Sequence, residues 1–150
     1  MTEGDIGCKR VLFLCTHNSA RSQMAEGLLR HFGRGFFKAY SAGTEATHVR
    51  PEAVTVMAEI GADISGAESK KLDPYLGEKF EYVVTVCDAA NEACPAFPGA
   101  RRRLHWSFRD PSTATGTLEE RLRVFRMVRD ERKARIDAEF LDTAGGFGYS

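Results

Sequence analysis

The chain has no surplus of charge of either sign. Lysine plus arginine number 21 and aspartate plus glutamate number 21, so the formal net charge is zero. A nucleic-acid binder normally carries a basic excess, and none is expected here. No apolar run approaches the roughly 18 residues that a membrane-spanning helix needs, so no membrane association is expected either. Met1–Gly7 is polar and carries two acids, unlike the basic start and apolar centre of a secretory signal. The expected location is the cytoplasm, where thiols stay reduced. The four cysteines therefore read as catalytic, metal-binding or incidental rather than as a disulfide frame. Cys-x2-Cys spacing is missing, as is histidine at zinc-ligand spacing, so neither metal nor cofactor is expected. Internal repeats and low-complexity tracts are absent.

What remains is a chain of 150 residues with 43% hydrophobic and 28% charged content, which fits one soluble globular domain. That domain is expected over 1–150, ordered over about 9–141, between loose ends. Arg10–Cys15 (RVLFLC) is a short apolar run of the kind a buried parallel strand shows. In Ser22–Phe32, Met24, Leu28 and Phe32 share one helical face. Phe36–Ala42 reads as a second strand. Pro51 can open a second helix, with Val54, Met57, Ala58 and Gly61 on one side. Glu81–Cys87 is a β-branched third strand, and Arg103–Phe108 a fourth. Thr117 and Glu120 form a capping box. It opens a long helix with Leu118, Leu122, Phe125, Val128, Ile136 and Phe140 in one stripe. Alternation of this kind implies an α/β fold, a four-stranded parallel sheet with helices on both faces. Balanced charge and the lack of a heptad suggest a monomer.

Ligands of such sheets sit beyond the carboxyl ends of the strands. After the first strand comes Cys15-Thr16-His17-Asn18-Ser19-Ala20-Arg21-Ser22, then the helix. Backbone N–H groups and the positive helix end make this turn a cradle for a tetrahedral oxyanion. Arg21 can add a bidentate contact to it. The same field favours the Cys15 thiolate, the nucleophilic form. Ser22 could hydrogen-bond that thiolate, Asn18 could brace the loop, and His17 could touch the anion or be merely exposed. The plainer reading is a buried cysteine ending a strand and an arginine on a solvated helix.

Cys15-x5-Arg21-Ser22 after a first strand resembles the phosphate loop of low-molecular-weight protein tyrosine phosphatases. The longer string CTHNSARSQMAEG, Cys15 to Gly27, is similar to that of the thioredoxin-coupled arsenate reductases that share their fold. The resemblance covers about Lys9 to Ile136. It implies reduction of arsenate to arsenite, for arsenic detoxification, with thioredoxin as the reducing partner. Cys15 is the implied nucleophile, and Thr16–Ser22, with Ala20 and Arg21, the implied oxyanion loop. Cys87 and Cys94 are the implied resolving pair and Asp110, before Pro111, the implied general acid. In the family's sheet strand three lies beside strand one, about 4.8 Å away, so Cys15 and Cys87 can approach. Were Cys87–Cys94 one helix, its ends would stand about 10.5 Å apart at ~1.5 Å per residue. A disulfide needs less than about 7 Å. The segment Cys87–Gly99 is therefore expected to be mobile and to change shape on oxidation. Cys8 falls at the wrong end of the first strand and is expected to be dispensable.

Some of these reductases hold potassium through positions matching Asn18, Glu26 and Ser41. A further family aspartate matches Lys70, whose ammonium could replace the ion and pair with Glu26, so potassium independence is expected. Two rivals stay open. One is a tyrosine phosphatase, against which Ser112 and Thr113 stand where its aromatic grip on phosphotyrosine belongs. The other is a non-catalytic oxyanion or redox sensor.

Overall fold

The computed structural model describes residues 9–15, 20–33, 35–45, 47–86, 99–106, 111 and 114–141. The expected loose ends, Cys8, Thr16–Ser19, the segment with Cys87 and Cys94, and Asp110 all lie outside the described residues.

Four parallel strands form the sheet: β1 (Lys9–Cys15), β2 (Phe37–Gly43), β3 (Phe80–Thr85) and β4 (Ala100–His105). Their order is β2-β1-β3-β4. β1 is central, and Val11 to Leu14 are fully buried on both faces. That is why its sequence is a continuous apolar run rather than an alternation. Among the described residues three α-helices accompany the sheet: α1 (Arg21–Phe32), α2 (Pro51–Ala58) and α3 (Leu118–Ile136), the last continuing into a π-helical turn, Asp137–Leu141. The expected α/β architecture is present.

Both faces carry helical cover, unequally. Val11 and Phe13 point into a core built with Met24, Leu28 and Leu29 of α1, Val56 and Met57 of α2, and Phe125, Val128 and Ile136 of α3. Leu12 and Leu14 point the other way, against Leu72, Phe80 and Val83, with Tyr40, Tyr75 and Leu76 alongside. Among the described residues a 3-10 turn, Asp73–Tyr75, serves this second face. The chain reaches it around the β2 edge, where the Gly43 amide donates to the Lys70 carbonyl (2.7 Å) and the Leu72 amide to the Gly43 carbonyl (2.9 Å).

Pro51 occupies the first turn of α2, as expected. Of the residues expected on one side, Met57 is in the core and Val54 packs against it, but Ala58 and Gly61 do not join them. Glu52, Ala53, Val56 and Met57 are buried, whereas Ala58 is exposed and Gly61 lies past the helix end at φ +84°. Glu52 tolerates burial because Arg50 and Arg121 each reach its carboxylate at 3.3 Å. On α1, Phe32 is not with Met24 and Leu28 in the core; it is exposed, edge-on to the His31 ring and beneath the Lys133 ammonium. The Thr117–Glu120 capping box is complete. Leu118 nevertheless leaves the α3 stripe for solvent, while Leu122, Phe125, Val128, Ile136 and Phe140 are buried.

β4 begins three residues before its expected start, at Ala100 rather than Arg103. Its three arginines are exposed, which an edge strand accepts because charge there discourages pairing with another chain. Ion pairs clamp α3 to α2. Arg126 grips both oxygens of Glu59, and Arg129 donates to the Val56 carbonyl (2.8 Å) and to Glu59 (2.9 Å). Hydrogen bonds from Arg126 and then Arg129 hold the Glu59 carboxyl below its ordinary range.

Gly27 lets α1 approach α2 and the segment after it. A Cβ at this position would stand 2.6 Å from Ile64 Cγ2 and 3.0 Å from Met57 Cε. Ile64 Cγ2 sits on a stiff β-branched carbon and cannot swing away. Gly27→Ala gains about 1 kcal/mol in helix propensity but loses roughly 1–3 kcal/mol to overpacking. We expect a net loss near ~1 kcal/mol in urea unfolding. A stabilised variant would mean that the contact yields freely.

Candidate active site

Cys15 ends β1 and is 3% exposed. It carries a thiol, and its carbonyl accepts from the Thr44 amide at 3.3 Å. In the sheet it is level with Gly43 of β2. On the other side β1 pairs with β3 as far as Leu14 opposite Thr85, and the Val86 amide donates to the Leu14 carbonyl at 2.8 Å. β3 thus ends two residues before its expected terminus, although its ladder with β1 continues to Val86. Cys87, the next residue in the chain, lies outside the described residues.

The chain re-enters the described structure at Ala20, which is buried and holds the N-cap position of α1. Alanine has no side-chain oxygen with which to cap a helix, and the first turn of α1 contains no acid. The positive end of α1 is therefore not neutralised from within its own first turn. Arg21 is partly exposed in that turn, and Ser22 is fully buried behind it. Cys15, Ala20, Arg21 and Ser22 are thus set at the carboxyl edge of the central strand and the start of the following helix. Thr16, His17, Asn18 and Ser19 lie outside the described residues.

At the same edge, Thr85 Oγ1 of β3 and His105 Nδ1 of β4 are 2.7 Å apart. Sequence reasoning placed His105 in no cluster, because its partner is a threonine two strands' length away in the chain. Trp106 follows, buried against the Phe13 ring at 5.9 Å. Asp110 lies outside the described residues; Pro111 is buried.

The expected Lys70–Glu26 pair is not formed. The Glu26 carboxylate accepts from the Ser41 hydroxyl at 2.5 Å and pairs with Arg30 at 2.7 Å. The Lys70 ammonium donates to the Glu68 carbonyl at 2.9 Å. Arg30 wins because it sits one turn from Glu26 on the same helix, the spacing at which ion pairs form without chain rearrangement. Among the described residues, no group of three or more His, Cys, Asp or Glu is arranged to hold a metal ion. No helix among them is long and apolar enough to cross a membrane. A groove of 920 Å³ runs along α1 and β2 past Glu26, Arg30, Lys38 and Asp63; neither Cys15 nor Arg21 lines it.

Sequence reasoning also missed Arg132. It is fully buried on α3, and its Nη1 donates to the Arg21 carbonyl. A hydrophobic-stripe reading passes over an arginine, and no local signal would have recovered it.

Known proteins similar in sequence and fold bear on this edge. Residues 10–137 match the family described as low molecular weight phosphotyrosine protein phosphatase. The chain is 50% identical over 128 residues to an arsenate reductase of Halalkalibacterium halodurans, covering 85% of this chain and 92% of that one. A solved arsenate reductase in the phosphate-binding state superposes with a TM-score of 0.76 at 33% identity, covering 87% of this chain and 95% of that one. A thioredoxin-dependent arsenate reductase from Corynebacterium glutamicum does so with a TM-score of 0.59 at 28% identity, covering 86% of this chain and 62% of that one. Because that family model spans residues 10–137, nearly all of the described residues, the chain belongs to the low molecular weight phosphotyrosine protein phosphatase family.

Proposed function

We propose that this protein reduces arsenate to arsenite through a three-cysteine relay regenerated by thioredoxin. The observation that carries the choice of substrate is identity at half of 128 aligned residues to an arsenate reductase. The thioredoxin partner is supported by the Corynebacterium relative, whose name states that dependence. The buried Cys15 thiol at the end of β1, followed by the α1 N-terminus with no acid in its first turn, supports the chemistry.

In this reading the loop Thr16–Ser22 and Arg21 hold the oxyanion, since amides and a guanidinium match its oxygens. The Cys15 thiolate attacks arsenic, forming an S–As bond. Asp110 protonates the departing oxygen, which leaves as water. The Cys87 thiolate then attacks Cys15 Sγ. The S–As bond breaks with its electron pair passing to arsenic, so arsenic(V) becomes arsenic(III) and the two sulfurs become a disulfide. Cys94 attacks Cys87, freeing Cys15 and leaving Cys87–Cys94. Thioredoxin reduces that bond by thiol–disulfide exchange. The ladder from Leu14 to Val86 supports the second step, because it ties the residue before Cys87 to the strand that ends in Cys15.

The test is NADPH consumption with arsenate, thioredoxin and thioredoxin reductase, for wild type beside Cys94→Ser. Wild type should turn over continuously. The variant should release about one arsenite per chain and stop, trapped as Cys15–Cys87, because no sulfur remains to carry the exchange onward. Continuous thioredoxin-driven turnover by the variant would remove Cys94 from the relay. Aryl phosphate hydrolysis without arsenate-dependent turnover would make the protein a phosphatase.

A further inference from the structure

We infer that Arg132 is a positioning residue for the oxyanion cradle, acting through the peptide that joins Arg21 to Ser22. The inference rests on the proposed oxyanion-binding role of the Cys15–Ser22 turn.

On α3 the buried positions are Leu122, Phe125, Val128, Arg129, Arg132 and Ile136. The spacing is that of an amphipathic helix facing a core. At position 132 this stripe carries a guanidinium with no exposed surface. Arginine is almost never fully buried unless it is engaged, and an aliphatic side chain would fill such a step without desolvating a charge. The side chain crosses from α3 to α1 and its Nη1 donates to the Arg21 carbonyl. That carbonyl belongs to the first residue of α1.

A carbonyl oxygen has two lone pairs. One serves the helix, and the other can take the guanidinium. The peptide is trans, as are all those described, and it is planar. Its C=O and N–H therefore point in opposite directions. Fixing the Arg21 carbonyl from α3 fixes the Ser22 N–H at the other end of the same rigid unit. First-turn N–H groups point out of the helix at its N-terminal end, the end that follows Cys15 in the sequence. A charged donor on the carbonyl also polarises the peptide and strengthens its N–H as a donor. Arg132 thus sets both the aim and the strength of one cradle amide, and holds the residue that bears the Arg21 side chain. It touches neither sulfur nor substrate.

The test compares wild type, Arg132→Met and Arg132→Lys. Inorganic phosphate binding is measured by calorimetry, kcat and KM for arsenate in the thioredoxin-coupled assay, and unfolding by thermal melt. Arg132→Met should weaken phosphate binding and raise KM by about tenfold, the scale of one charge-assisted hydrogen bond. Its kcat should stay within about threefold, and across the variants the loss of phosphate affinity should not track Tm. Arg132→Lys keeps a cationic donor and should recover part of the affinity. Wild-type phosphate affinity in the Met variant would overturn the inference. So would equal loss in Met and Lys variants tracking a fall in Tm, which is what a structural role gives. Should the Met variant not fold, Arg132→Gln carries the same two outcomes. If wild type itself binds neither phosphate nor arsenate, the reading of the turn as an oxyanion site fails, and the inference with it.

Discussion

Cys15→Ser is expected to abolish arsenate reduction, with kcat/KM falling by at least about 10⁴-fold, as when a nucleophile is removed from other covalent catalysts. Two effects compound. A serine hydroxyl is a far weaker nucleophile than a thiolate near neutral pH. Serine also cannot enter a disulfide, so no path remains for two electrons to reach arsenic even if an ester forms. Oxyanion binding should persist, because Arg21 and the backbone amides are untouched; phosphate affinity should stay within about threefold. Cys15 is 3% exposed, so burying a hydroxyl in its place costs about 1–3 kcal/mol of stability. The assay is therefore run on protein shown to be folded by circular dichroism. Residual thioredoxin-driven turnover within tenfold of wild type would remove Cys15 from the reaction.

The placement of Cys15 was readable because it depends on burial and chain order alone. β1 is buried on both faces, so its apolar run is unbroken, and a helical stripe follows it in the sequence. The same reasoning found β3 and the capping box of α3. It read Arg101–Arg103 as a solvated strand start but counted the strand only from Arg103; β4 takes in all three arginines because an edge strand needs only one neighbour and leaves room for charge. It missed the inward turn of Glu52 and Arg132 for a related reason. Hydrophobic periodicity cannot see a charged group whose burial is supported by partners distant in sequence, such as Arg121 for Glu52 or the Arg21 carbonyl for Arg132. The Lys70–Glu26 pairing failed differently. It depended on side-chain reach across two segments, and a local competitor, Arg30, was already one turn away.

Phe140→Ala should be the most damaging core truncation. Phe140 lies in the π-helical turn that ends α3 and is 1% exposed. Its ring meets four others: Tyr82 at 5.1 Å, Phe37 at 5.4 Å, Trp106 at 5.6 Å and Phe13 at 6.4 Å. Those four rings come from β3, β2, the residue after β4, and β1, so one side chain ties the last helical turn to three strands of the sheet and to the residue that follows the fourth. Removing a buried phenyl group costs about 3–5 kcal/mol, part transfer and part cavity. The aromatic contacts, about 0.5–1.5 kcal/mol each, are included in that total and not added to it. For a chain of this size the loss corresponds to a fall in Tm of roughly 6–20 °C. Met127→Ala, on the exposed side of α3, should change stability by no more than about 0.5 kcal/mol. The two variants give a sharp comparison by thermal melt and urea titration. A Phe140→Ala protein melting within about 2 °C of wild type would show that the rings close over the gap. The cavity also lies next to Phe13, two residues before Cys15 on the same face of β1. Activity at a temperature where the variant remains folded therefore separates two roles. Unchanged kcat/KM would mean that the aromatic cluster only stabilises the fold. A loss of tenfold or more would mean that packing beneath β1 holds the Cys15 thiol in position.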